Sequence, residues 1–281
     1  MPSQTLEYPK QPYSKVNRYD DRASYSLETI HHIINTSPVL HVSFNAPDSP
    51  FPTILPMIGQ MGSFSRPSAD TGDVLDLYLH GYVSSQIMNL ARGSWGKDGG
   101  GDENNKEPGL PLSVAATHVD GLVLSLTPNS HSYNYRSAVV FGRAVPVTDA
   151  AEKLWAMELI TNGVVRDRWR HTRVPPTPAE MQSTAVLRVA VAAGSAKIRT
   201  GMPGGDSRAD VGDPALVARV WTGVVPLHLV AEEPLPAPGN GVAQVPAYLT
   251  EYVADFNDHA KKTALEAATT PMKPKPKHGD D

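Results

Sequence analysis

The densest polar cluster set in strand-like sequence runs from Asn129 to Ser137 (NSHSYNYRS), immediately ahead of the apolar run AVVFGRAVPV. His131, Ser132, Asn134, Tyr135, Arg136 and Ser137 supply a guanidinium, hydroxyls, an amide and aromatic rings at the mouth of a buried strand. A flat, phosphorylated ligand needs such a set: Arg for bidentate contact with phosphate, hydroxyls for further oxygens, rings for stacking. The same residues would equally make a polar hairpin turn carrying one surface arginine. His131 is the candidate for proton delivery, because an unperturbed imidazole titrates near neutrality; a purely structural hydrogen bond is its other reading.

A second cluster is LYLHGYVSSQIMNLAR, from Leu77 to Arg92. A strand ends at His80 and Gly81, and a helix begins near Ser84 or Ser85. The unpaired N–H groups and positive dipole end of a helix N-terminus favour an anion, and Ser84, Ser85 and Gln86 would add side-chain donors. Alternatively the serines simply cap the helix. A third cluster, SAKIRTGMPGG, sets Lys197 and Arg199 in alternation along an apolar strand, ahead of VWTGVVPL with Trp221. The two cations could neutralise phosphate or polarise a ligand carbonyl, or form an exposed face; Trp221 could pack on a ligand edge or belong to the core.

Several other chemistries find no support. The chain has no cysteine, so disulfides, thiolate metal sites and thiol nucleophiles are absent, and electron transfer would require a bound cofactor. His31 and His32 point apart on a helix and lack companion ligands, so no metal site is expected. The glycines of the 96–109 stretch (GKDGGGDENNKEPG) do not follow a hydrophobic strand as a dinucleotide fingerprint requires, and no GxSxG occurs. A net charge of -4 offers no general attraction for nucleic acid. No segment approaches the length of a spanning helix, and Met1 to Arg18 has no apolar stretch, which predicts a soluble cytoplasmic protein without a membrane partner.

The elements that must position these clusters are mostly strands. Residues 1–22, with Pro2, Pro9 and Pro12 among polar residues, read as an extended arm. Ser26 is an N-cap, with Glu28 in the first turn and Ile30, Ile33 and Ile34 at helical spacing before Pro38. Strands are predicted over Val39–Phe44, Thr53–Ile58, Val74–His80, Ser113–Leu126, Ser137–Val147, Thr184–Val191 and Val217–Val230, from β-branched residues bounded by Gly, Pro or Asn. Helices are predicted over Ser84–Arg92 and Ala150–Gly163, more weakly after Pro178, and over Ala247–Ala268. Many short strands with turn signals point to a closed sheet or barrel. The 96–109 stretch reads as a surface insertion, residues 23–231 as the main domain, and 232–281 as a Pro-rich extension ending in a charged tail.

In order along the chain, RASYSLETIHHII, VLHVSF, PTILPMIG, LYLHG with its following serines, THVDGLVLS, HSYNYRSAVVFGRA, ASAKIRTG and VWTGVVPL resemble the pyridoxamine 5'-phosphate oxidase-like FMN-binding split-barrel proteins. The resemblance is to the subgroup related to nitroimidazole-resistance flavoproteins and covers roughly Arg22 to Leu229; HSYNYRSAVVFGRA is its most specific segment. It implies a mainly β fold with a few helices, a six-stranded Greek-key split β-barrel, assembled as a homodimer with two FMN molecules between subunits. Thr53, Ile54, Leu55, Pro56 and Met57 would then line the isoalloxazine from an edge strand, and Ser84, Ser85, Arg136 and Ser137 would surround phosphate and ribityl. His80, Gln86, Asn134, Tyr135, Lys197, Arg199 and Trp221 complete the implied cofactor set. Gln86 stands where many relatives carry an Arg, which removes one phosphate charge that Arg136, Lys197 or Arg199 would have to supply. The implied activity is an FMN-dependent oxidoreductase passing electrons from reduced flavin to a small planar acceptor. The alternative is a non-catalytic flavin or haem carrier, since one fold serves many functions.

Overall fold

The computed structural model describes residues 5–47, 49–95 and 108–271. The 96–109 insertion, apart from Pro108 and Gly109, and the tail from Met272 lie outside the described residues.

In chain order the elements are β1 (Ala23–Ser24), α1 (Leu27–Thr36), β2 (Leu40–Phe44), β3 (Thr53–Met57), β4 (Gly59–Gly62), β5 (Asp76–Tyr82), α2 (Gln86–Trp95), β6 (Leu110–Leu124), β7 (Ser132–Pro146), α3 (Ala150–Val164), α4 (Pro178–Ser183), β8 (Thr184–Arg199), α5 (Arg208–Val211), α6 (Pro214–Arg219), β9 (Gly223–Pro226) and α7 (Ala247–Thr269). The strands run in the order β3-β2-β6-β7-β8-β5-β4, with β1 on β8 and β9 on β6. The protein is mainly β, with antiparallel pairings, as the resemblance implies. Among the described residues the sheet has nine strands rather than six, and its strand order does not close on itself. No helix among the described residues is long and apolar enough to cross a membrane.

The chain divides into two compact units, and the long strands β6, β7 and β8 contribute residues to both. The first unit comprises residues 1–17, 24–117 and 137–196. Its sheet buries Leu40, Val42, Leu77, Leu79, Val114 and Leu187. Helix α1 forms as its pattern predicts: Ser26 caps it by accepting from the Thr29 N–H, and Leu27, Ile30, Ile33 and Ile34 are buried along one face. Burying each such side chain is favourable by roughly 1.5–3 kcal/mol, which commits the helix to the sheet. The arm is tied down by backbone pairing: Tyr8 N–H donates to Tyr25 O at 2.8 Å and Leu27 N–H to Leu6 O at 3.0 Å. Tyr8 also donates its hydroxyl to Nε2 of the buried His31 at 2.6 Å, while His31 Nδ1 bonds Thr71 O at 2.9 Å. On α3, capped by Asp149, buried Glu152 accepts from the Tyr78 hydroxyl at 2.9 Å and from Arg188 at 3.1 Å.

The second unit comprises residues 18–23, 118–136 and 197–281. Here β9 pairs with the end of β6, Leu122 opposite Val225. The strand expected over Val217–Val230 is only Gly223–Pro226; its first part is helix α6. Asp213 and Pro214 explain the difference. The Asp213 carboxylate accepts from the N–H groups of Ala215 and Leu216, and proline fits the first helical position, so a helix start outweighs the β-propensity of Val217 and Val220. Strands β1 and β4 were not predicted. The GQMG of β4 has no β-branched residue to mark it.

Candidate functional site

In the first unit, edge strand β3 and the junction from β5 to α2 enclose a cleft of about 340 Å³. Its lining includes Leu55, Pro56 and Met57 from β3, His80, Gly81 and Tyr82 from the end of β5, and Ser85 and Ile87 at the start of α2. The volume is within the range of small-molecule sites, and the predominantly apolar wall with few polar groups is their usual chemistry.

The strand–helix junction is built from the backbone outward. His80 N–H bonds Ile58 O at 3.2 Å, which holds the end of β5 against the residue after β3. The chain then turns, with Ser85 N–H donating to Tyr82 O at 3.0 Å, and Ser85 O receives Asn89 N–H at 3.0 Å as the first bond of α2. Ser85 is therefore the N-cap residue by backbone role. A capping serine would ordinarily turn its hydroxyl back onto the N–H groups of its own helix. Ser85 does not: its Oγ is buried and has no hydrogen-bond partner. Leaving a buried hydroxyl unpaired costs about 1–3 kcal/mol. Simple capping is thus not what Ser85 does.

Gly81 opens the wall beside it. A Cβ there would lie 2.8 Å from Met88 Cε, 3.6 Å from Met57 Cε and 3.9 Å from Ser85 Oγ, so the missing side chain is part of the cleft's shape. His80 is exposed at the mouth, yet desolvation of its ring lowers its pKa from the ordinary value. It is therefore neutral at pH 7.

The sequence-predicted residues divide between the two units. Leu55, Pro56, Met57, His80 and Ser85 come together in the cleft; Thr53, Ile54, Ser84 and Gln86 are on the same segments but outside its lining, with Ile54 turned to solvent. Ser137 belongs to the first unit, on β7. Asn134, Tyr135, Arg136, Lys197, Arg199, Trp221 and His131 belong to the second unit.

Within the second unit most of these polar groups already have protein partners. The Arg136 fork grips Asp120 with two bonds of 2.9 Å. Asn134 is fully buried; its amide donates to Gly201 O and Ala267 O, both at 3.2 Å, and its oxygen accepts from Arg199. Arg199 is itself buried, and desolvation lowers its pKa from the usual arginine value. This knot satisfies a carbonyl in the last turn of α7, an end that needs donors. Lys197 lies 5.6 Å from the Tyr19 ring centroid, within cation–π range. Trp221 is 65% exposed rather than core. His131 accepts the Ser125 N–H at Nδ1, 3.0 Å, so its neutral form carries its proton on Nε2 and offers it as a donor.

Sequence reasoning missed Val39, Ile58, Gly81, Tyr82 and Ile87 as lining residues. The signal for Gly81 was a glycine between a strand and a helix, where close backbone approach is common. Among the described residues no three His, Asp or Glu side chains are grouped to hold a metal ion.

A mainly antiparallel β protein with a ligand-sized cleft between an edge strand and a strand–helix junction is a split-barrel type of binding fold. The chain belongs to the pyridoxamine 5'-phosphate oxidase family, whose sequence model matches residues 26–198. Among solved structures it is similar to the flavocytochrome Anf3 from Azotobacter vinelandii, with 25% identity, 86% of this chain and 97% of that chain covered, and a TM-score of 0.67. It is also similar in fold to the FAD and haem binding protein from Mycobacterium smegmatis, with 24% identity, 83% and 97% covered, and a TM-score of 0.64. No curated protein matches the chain.

Proposed function

We propose that this protein binds a flavin, FMN, in the first-unit cleft and passes electrons from the reduced flavin to a small planar acceptor. The observation that carries this reading is the mostly apolar cleft between β3 and the β5–α2 junction, where Leu55, Met57, Gly81 and Ile87 meet the polar side chains His80 and Ser85. That combination fits a large flat ring with one polar, hydrogen-bonding tail. The likeness to a flavocytochrome at 25% identity supports the same class of ligand.

When bound, flavin supplies the redox chemistry, with its N5 as the hydride position. The chain's own residues bind and orient. Leu55 and Met57 exclude water from one side, and Gly81 lets the ligand approach the β5 backbone. Ser85 supplies a hydrogen bond. His80, neutral at pH 7, can donate from one ring nitrogen and accept at the other. His131, protonated on Nε2, is suited to donate a hydrogen bond rather than to accept a proton there. The exposed apolar side chains Phe51, Ile54 and Tyr82 suit self-association, and a homodimer is part of this proposal.

The test is spectroscopic. Flavin absorbance in the purified protein, bleached by a reduced nicotinamide nucleotide and recovered on adding an acceptor, supports the oxidoreductase. A yellow protein that never cycles is a carrier instead. Haem is a second reading, favoured by His228, exposed beside the exposed Leu229 and Val230 that follow it in the second unit, and by the flavocytochrome likeness. A Soret band that forms on adding haem and is lost in His228→Ala supports it; no band, or one unchanged in the variant, rules against His228.

A further inference from the structure

We propose that the N-terminal arm is an acid-released latch: the Tyr8 side chain plugs a socket between α1 and β8, and a proton on His31 ejects it. The socket exists because of Gly194. A Cβ there would lie 3.2 Å from Tyr8 Cδ2 and 3.2 Å from Val140 Cγ1, so the bare β8 backbone makes room for the ring. Tyr8 meets the His31 ring edge-on, with centroids 5.6 Å apart, and keeps only 7% exposure. Among the arm's described residues it is the one buried hydrophobic side chain; Leu6 and Tyr13 face solvent. The rest of the arm is held lightly. Glu7 bridges to Ser26, the Lys10 ammonium lies 4.8 Å from the Tyr25 ring centroid, and Val16 N–H donates to the Tyr25 hydroxyl at 3.0 Å.

The directions of two hydrogen bonds make this plug sensitive to one proton. Thr71 O can only accept, so its 2.9 Å bond fixes a hydrogen on His31 Nδ1 and leaves the Nε2 lone pair facing the Tyr8 hydroxyl, which donates across 2.6 Å. A second proton on the ring would have to sit on Nε2, where the tyrosine hydrogen already points. The hydroxyl would then have to turn that hydrogen away, and the charge would lie on a fully buried ring. Both penalties are relieved once the arm lifts and water reaches Nε2. The surrounding charges do little to ease them. Asp76 of β5 acts on the Tyr8 hydroxyl, adding to the effect of burial in keeping it protonated. Glu7 and Lys10 flank Tyr8 on the arm, and Glu28 and His32 of α1 are exposed. In the loop that carries Thr71, Asp70 and Asp73 accept loop N–H groups, and Asp73 also pairs with Arg66. Residues 138–141 of β7 and 189–196 of β8 bring no titratable group. Desolvation therefore outweighs the Thr71 bond and holds His31 at about 4.

The experiment is hydrogen exchange read by mass spectrometry on the full chain at pH 8 and pH 5, with protection factors compared for the arm and for β5. The arm should be less protected than β5 at both pH values, as a locally opening segment is. Its protection should fall about 30-fold between them, the ratio for one group that titrates at 6.5 when open and about 4 when closed. His31→Gln should hold arm protection constant to within about threefold across the same range. Tyr8→Phe, which removes one oxygen, should lower arm protection at pH 8 by about tenfold through loss of a buried hydrogen bond. Wild-type arm protection that does not change with pH would show that the arm lifts without freeing His31. Arm protection equal to that of β5 at both pH values would show that the arm leaves only when the whole protein unfolds. Either result overturns the latch, and so does an arm as well protected in Tyr8→Phe as in wild type, an outcome readable even if His31→Gln does not fold.

Discussion

At the scale of single residues, the partners a side chain already has within the protein limit what it can offer a ligand. Arg136 has the residue type of a phosphate anchor, but its bidentate fork is taken by Asp120, whose side chain is only 6% exposed. Arg136→Ala would leave that carboxylate buried without its counter-charge, a change that costs about 3–5 kcal/mol. Urea unfolding should show this loss, and FMN and riboflavin should weaken equally in the variant; a loss confined to FMN would return Arg136 to the ligand. His31 gives a pH prediction. Burial lowers its pKa from 6.5 to about 4, outweighing the bond to Thr71. Between those two values the unfolded chain binds a proton that the folded protein does not, so stability rises with pH across this window. Acidification from pH 6.5 to 4 should therefore cost up to about 3 kcal/mol, and His31→Gln should flatten the curve. A wild-type curve no steeper than that of the variant would show that His31 is not the group responsible.

At the scale of elements, the cleft depends on the order strand, glycine, turn, helix from His80 to Gln86. Gly81→Val should lower flavin affinity at least tenfold while the protein stays folded, because the nearest atom to the new Cβ is the flexible end of Met88. Unchanged binding, measured by fluorescence titration, would place the ligand elsewhere. Much of this architecture is legible in the sequence. The Ser26 cap and Ile30, Ile33 and Ile34 mark α1, and the LHG segment followed by SSQIM marks the junction, because caps and hydrophobic periods are local signals. Other features are not local. The face of β6 that turns inward near its end is set by Val123 and Ser125 rather than by Leu122 and Leu124. Nor does any alternation of apolar residues announce Asp120, which is buried against Arg136. Strand β4 forms from GQMG because of its neighbours, not its propensity. Likewise, Asn134 and Arg199 look like ligand residues in a polar run, and only their contacts with Gly201 and Ala267 reveal them as a structural knot.

At the scale of the whole molecule, the proposed homodimer makes a prediction about the exposed apolar side chains Phe51, Ile54 and Tyr82. If the homodimer forms through the apolar surface that carries Phe51, Ile54 and Tyr82, Ile54→Asp should lower the mass seen by light scattering to that of a single chain. Retention of the dimer in that variant would move the interface to another face.

The most direct measurement is the identity and amount of the ligand released when the purified protein is denatured, by mass spectrometry and absorbance. A flavin-binding cleft predicts FMN in close to equal proportion to the chain, regained after removal when FMN is added back, and reduced in Gly81→Val. Protein that carries no flavin and takes up none from excess FMN would contradict it.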